Sequence, residues 1–123
     1  MTKILYVEDT PASQRLVQRI LMAEGFEVVV ADDGISAIEV ARREKPDLVL
    51  MDINIGGLDG YEVSTRLQTL PGLKGVPIVA VTAATMAGDR ERALVAGCNG
   101  YISKPIDVDR FPNQVRAYLT GME

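Results

Sequence analysis

Short apolar runs alternate with longer amphipathic stretches from one end of the chain to the other. Ile4-Leu5-Tyr6-Val7 is a β-prone run that stops at two acids, Glu8 and Asp9. Thr10 followed by Pro11 reads as a helix start, with Thr10 at the cap and Pro11 at the first helical position. Leu16, Val17, Ile20 and Leu21 then recur on one helical face, and Gly25 closes the segment. Val28-Val29-Val30 predicts a second strand. Asp32 or Asp33 caps a second helix with Ile35, Ile38 and Ala41 turned inward, and Pro46 ends it.

Leu48-Val49-Leu50-Met51 predicts a third strand, ending at Asp52. It is apolar without alternation, as expected of a strand covered on both faces. A loop with Gly56, Gly57 and Gly60 follows. Val63, Leu67 and Leu70 mark a third helix, and the stretch from Leu70 to Pro77 reads as loop. Ile78-Val79-Ala80-Val81 predicts a fourth strand ending at Thr82. Residues 89–96 form a weaker, alanine-rich helical pattern. Tyr101-Ile102-Ser103 predicts a short fifth strand ending at Lys104-Pro105, and Val108, Phe111, Val115, Tyr118 and Leu119 make a last helical stripe. This repeated strand–helix unit predicts an α/β fold, a parallel sheet with helices on both faces and right-handed crossovers.

In open sheets of this kind, ligands bind at the carboxyl ends of the strands. The residues that end the apolar runs are Glu8-Asp9, Asp52, Thr82 and Lys104. Adjacent strands would gather them at one edge. Two carboxylates about 4 Å apart repel by roughly 1 kcal/mol in water and about 4 kcal/mol at an effective dielectric of 20. A hard dication removes that conflict. Mg²⁺, with Mn²⁺ as a substitute, takes oxygen ligands and retains waters. Asp9 and Asp52 are the expected direct ligands, Glu8 acts directly or through water, and the backbone carbonyl of Asn54 is a further donor.

Composition narrows the remaining chemistry. The 123 residues are 47% hydrophobic and 24% charged, as in one folded domain spanning 1–123. The formal net charge is −4, which disfavours direct nucleic-acid binding. Histidine is absent, which removes His bases, His dyads and His metal sites. The lone Cys98 allows no internal disulfide and reads as a packing residue, as do Met22 and Met86. Arg42-Arg43 and the Arg90/Arg92 pair read as solvated helix faces. No stretch reaches the roughly 20 apolar residues of a spanning helix, and the N-terminus lacks a secretory core, so a cytoplasmic placement without membrane contact is expected.

Together these residues resemble the receiver domain of two-component response regulators, the family of the chemotaxis protein CheY. The pieces are Ile4 to Asp9, Leu48 to Ile53, Leu58-Asp59-Gly60, Val79 to Ala83, Ala96-Gly97, and Gly100-Tyr101-Ile102-Ser103-Lys104-Pro105. The stretch from Thr82 to Arg92 is similar to phosphorelay receivers of hybrid histidine kinases and to single-domain regulators of the DivK type. The resemblance implies a doubly wound, flavodoxin-like sheet of five strands in the order 2-1-3-4-5, and a cis Lys104-Pro105 bond. It implies that Asp52 accepts a phosphoryl group from a partner phosphohistidine, with Mg²⁺ at Glu8, Asp9, Asp52 and Asn54. Lys104 and Thr82 would contact phosphoryl oxygens, and backbone N–H groups near Asn54 and Ile55 would complete the cradle. Thr82 and Tyr101 would be the switch pair that reshapes the surface of the fourth helix, fifth strand and fifth helix. The implied partners are a sensor histidine kinase or histidine phosphotransfer protein and a downstream protein, and a homodimer through the last helix is compatible with the sequence.

The sequence departs from the family in the loop after Asp52, where Asn54-Ile55-Gly56-Gly57 carries no proline. The small Ala84 beside Asn54 predicts a phosphate lifetime well short of many hours. The chain is expected to be a phospho-acceptor rather than a turnover enzyme. A phosphatase of the haloacid dehalogenase type would want a second Asp where Asn54 stands. A flavodoxin-like cofactor site would want a hydroxyl- and glycine-rich loop where Glu8-Asp9-Thr10-Pro11 stands. The remaining alternative is a non-phosphorylated pseudo-receiver scaffold.

Overall fold

A computed structural model of the protein describes residues 2–52, 60–82 and 98–119. The elements are β1 (Lys3–Val7), α1 (Pro11–Ala23), β2 (Glu27–Ala31), α2 (Gly34–Glu44), β3 (Leu48–Asp52), α3 (Gly60–Gln68), a 3-10 turn (Pro71–Leu73), β4 (Ile78–Thr82), β5 (Gly100–Ser103) and α4 (Phe111–Leu119). The predicted helix over 89–96, Asn54, Ala84, Met86 and the Arg90/Arg92 pair lie outside the described residues, as do most of the two glycine-bearing motifs at 58–60 and 96–97. No described helix is long and apolar enough to cross a membrane.

The strands form one parallel sheet in the order β2-β1-β3-β4-β5, the doubly wound arrangement that the resemblance implied. Side-chain parity along each strand builds two cores. Leu5, Val7, Val49, Met51, Ile78 and Ala80 face Ala37 and Ala41 of α2 and Val63 and Leu67 of α3. Ile4, Tyr6, Leu48, Leu50, Val79 and Val81 face Val17, Ile20 and Leu21 of α1 and Phe111 and Val115 of α4. Full burial of each large apolar side chain contributes about 1.5–3 kcal/mol. The order reverses at β1, between β2 and β3, which opens a crevice at the carboxyl ends of β1 and β3.

Several local expectations are corrected by the structure, and those for the cap of α2 and for Cys98 are met. Thr10 stands at the cap of α1 without a side-chain capping bond, since its hydroxyl turns to Asp9 instead. Asp33 is the true cap of α2, its Oδ1 accepting from the Ser36 N–H at 2.8 Å. Ile35 is 68% exposed, because Gly34, Ala37 and Ala41 occupy the inward face of that helix. Lys45, not Pro46, closes α2, in the left-handed region at φ 49°. The following proline disfavours ordinary helical geometry there. The stretch after Leu70 contains a 3-10 turn rather than plain loop, started by Pro71 and anchored by buried Leu73. Val108 is exposed, since Asp107 accepts from the Asp109 and Arg110 N–H groups and delays α4 until Phe111. Leu16 and Met22 are exposed too, on the outer side of α1. Cys98 is buried beside Ser64 at 3.4 Å, and burial pushes its thiol up.

The edge strand β5 is held from above by Tyr118. The Tyr101 N–H donates to the Tyr118 hydroxyl at 3.3 Å. The phenol ring sits where a Cβ on Gly100 would lie. Gly100→Ala therefore displaces the ring and breaks that bond, with an expected loss of about 1–2 kcal/mol. Urea unfolding measures it; an unchanged midpoint would show that the ring relaxes without cost.

Candidate functional site

Three strand ends bring the polar residues together. Glu8 directly follows β1, Asp52 is the last residue of the adjacent β3, and Lys104 directly follows β5. The lysine arm crosses the end of β4 to reach both acids. Lys104 Nζ donates to Glu8 Oε1 at 2.9 Å and to Asp52 Oδ2 at 3.1 Å. Glu8 is 1% exposed and Asp52 4%, whereas Asp9 is exposed. Oxygens of Glu8, Asp9 and Asp52 all lie within 4.8 Å of one another.

Further donors fix Glu8. The Tyr6 hydroxyl donates to its Oε1 at 2.9 Å and the Thr10 N–H to its Oε2 at 3.2 Å. Gln14 Nε2 ties the Glu8 carbonyl to Asp32 Oδ1, so the start of α1 is bound to the end of β2 across the crevice. Burial would raise the Glu8 carboxyl, but the bonds from Lys104 and Tyr6, with Asp52 and Thr10 beside them, hold it down at about 2. Burial would lower Lys104, but its bond to Glu8 and the charge of Asp52 keep it above the ordinary lysine range. Burial, and then the Glu8 charge, pushes the Tyr6 phenol well above its usual range, so it remains a donor.

The donor set fits a hard dication. Among the described residues the candidate ligands are all carboxylate oxygens, and Lys104 balances only part of the charge of the three acids. Exposed Asp9 leaves the cluster open to solvent, where retained waters can complete a shell.

Glu8, Asp9, Asp52 and Lys104 thus stand together as the sequence predicted. The backbone of Thr82 ends β4 between β3 and β5, while its side chain, like Asn54, lies outside what the structure describes. Tyr101 is half-buried against the core layer that holds Ala80 and Cys98. Lys104-Pro105 is cis. The sequence reading missed Tyr6 and Gln14. Strand parity puts Tyr6 on the face of Glu8, two residues on, but does not show which atom its hydroxyl meets.

The chain is similar to known proteins in sequence and fold. Residues 4–116 match the response regulator receiver domain family. The chain is 40% identical over 116 residues to the polar-differentiation response regulator DivK of Brucella anthropi, covering 94% of each protein. It is 41% identical over 120 residues to DivK of Brucella ovis, covering 97% of this chain and 98% of that one. Among solved structures, the chemotaxis protein CheY4 of Vibrio cholerae superposes with a TM-score of 0.90 at 25% identity, over 94% of this chain and 97% of that one. The receiver domain of the sensor histidine kinase PA1611 from Pseudomonas aeruginosa, solved with a magnesium ion coordinated in its active-site cleft, gives 0.88 at 34% identity over 97% and 98%. With the parallel sheet, the acidic cluster and the bridging lysine in place, the match shows that this chain belongs to the response regulator receiver domain family of two-component systems.

Proposed function

We propose that Asp52 accepts a phosphoryl group from the phosphohistidine of a sensor kinase or histidine phosphotransfer protein, in a Mg²⁺-dependent step. The observation that carries this reading is the bridge of Lys104 between Asp52 and Glu8 at 3.1 and 2.9 Å. It places a cation beside the one carboxylate that ends a central strand at the topological switch point. A carboxylate oxygen of Asp52 attacks phosphorus, the phosphorus–nitrogen bond of the donor breaks, and its electron pair stays on the imidazole. The product is an aspartyl phosphate, an acyl phosphate of the covalent-carboxylate type.

Each neighbour has a part in that step. Glu8, Asp9 and Asp52 would hold the divalent ion, with Asn54 as the expected carbonyl donor. When bound, that ion neutralises charge on phosphoryl oxygens during in-line transfer. Lys104 exchanges its bond to Asp52 for one to a phosphoryl oxygen, and the Thr82 hydroxyl donates to another. Glu8 stays ionised, because Lys104 and Tyr6 keep its carboxyl far below neutral pH. Tyr101, half-buried on the edge strand, is the side chain through which the phosphate would bias two packings of the β5 and α4 surface. Output then takes the form of protein contact or onward transfer, and the chain acts as a phospho-acceptor rather than a turnover enzyme.

The test uses phosphoramidate as a small donor with Mg²⁺, followed by intact mass. One added phosphoryl group is expected, abolished by EDTA, restored by excess Mg²⁺ or Mn²⁺, and removed by hydroxylamine. No uptake at millimolar Mg²⁺ would leave a scaffold that never carries phosphate.

A further inference from the structure

We propose that Tyr6 is a positioning residue of the acidic site, its hydroxyl setting the orientation of Glu8 toward the divalent ion. The proposal rests on the reading of Glu8 as part of that ion's site. Tyr6 is fully buried in a cluster with Ile4, Val17, Leu21, Leu50, Phe111 and other apolar side chains. Every other buried member of that cluster lacks a polar side-chain atom. A phenylalanine would fill the same space, so packing alone does not account for the hydroxyl. Burying it without a partner would cost about 1–3 kcal/mol. Its partner is Glu8 Oε1 at 2.9 Å, the same atom that accepts from Lys104 Nζ at 2.9 Å.

The geometry divides the carboxylate into two ends. Tyr6 and Lys104 donate to Oε1, and the Thr10 N–H donates to Oε2 at 3.2 Å. Lys104 alone could not hold that plane, because the same ammonium also serves Asp52 and sits on a flexible stem. The phenol sits on a rigid central strand paired on both sides. It is therefore the fixed point against which Glu8 is oriented. Groups that orient metal ligands in this way are typically worth 10–100-fold in metal affinity.

Calorimetric titration with Mg²⁺ alone tests this on the whole protein. Tyr6→Phe should weaken Mg²⁺ binding about tenfold, at the low end of that range. A second readout is tyrosine emission, available because the chain has four tyrosines and no tryptophan. A phenol hydrogen-bonded to a carboxylate emits weakly. Mg²⁺ should therefore change the emission of the wild type, and that change should vanish in Tyr6→Phe. A lower melting temperature with unchanged Mg²⁺ affinity would mean that the hydroxyl serves only packing, and the proposal would fall while the ion site stood. Absence of Mg²⁺ binding by the wild type would overturn the ion site itself, and the positioning role with it.

Discussion

Asp52→Asn is expected to abolish phosphoryl uptake and to make the metal-free protein no less stable, although a buried side chain is changed. The loss of uptake follows from chemistry, since the amide has no anionic oxygen to attack phosphorus. The effect on stability follows from the charges around it. Within 4.8 Å, two carboxylates at an effective dielectric of 20 repel by about 3–4 kcal/mol, and Asp52 faces two others, Glu8 and Asp9. Its attraction to Lys104 at 3.1 Å is worth about 5 kcal/mol on the same scale. Among these described groups repulsion exceeds attraction, and the amide oxygen of Asn still accepts from Lys104. In EDTA the variant should melt at or above the wild-type temperature. Added Mg²⁺ should raise the wild-type melting temperature by the ordinary linkage of a ligand bound only by the folded state. The variant should show little of that rise, having lost a central ligand. A variant that still takes up phosphate, or that melts well below the wild type in EDTA, would contradict the account of this site.

The fold and much of this site were legible in the sequence for a definite reason. Strands covered on both faces read as unbroken apolar runs, so the first polar residue marks the strand end. Glu8 and Asp52 announce themselves in this way, whereas Lys104 follows Ser103 at the end of the partly exposed edge strand β5. Their meeting depends on strand order, which puts β1 beside β3 and leaves Lys104 two strands from Asp52. What stayed hidden was set by helix rotation and by side-chain atoms. Apolar periodicity marks a stripe without choosing which edge is covered, so Ile35 looked buried while Ala37 and Ala41 took the contact. Val108 continued the stripe by spacing, but Asp107 captures the N–H groups that would have begun the helix there. Tyr6 passed as one more β-former, because its position gives its packing while its function lies in one oxygen atom.

Lys104→Met should cost about 3 kcal/mol at neutral pH in EDTA, because it leaves Glu8 and Asp52 buried without their cation. The pH dependence of that loss carries the sharper test. In the wild type, Glu8 has a folded value of about 2 against an unfolded 4.5. A depressed carboxylate contributes stability above its unfolded value and loses it as pH falls through the folded one. Lys104 is shifted upward from 10.5, so its contribution is present below that value and is lost as pH rises through the folded one. The ion pair therefore stabilises fully between about pH 5 and pH 10. Without Lys104, the strongest influence on Glu8 is burial, which raises its value. The bonds from Tyr6, Asp52 and Thr10 remain and still lower it, so what is lost with the lysine is the largest lowering influence. Glu8 then takes up its proton at a higher pH than in the wild type, so acidification costs the variant less stability. Other carboxylates, such as Asp33, titrate in both proteins and cancel in the comparison. Urea unfolding at pH 7 and pH 5 should thus show the gap between wild type and Lys104→Met narrowing on acidification, by about 0.8 kcal/mol if Glu8 moves by about one unit above its ordinary value. A constant or widening gap would mean that Lys104 does not hold the Glu8 carboxylate in its ionised form.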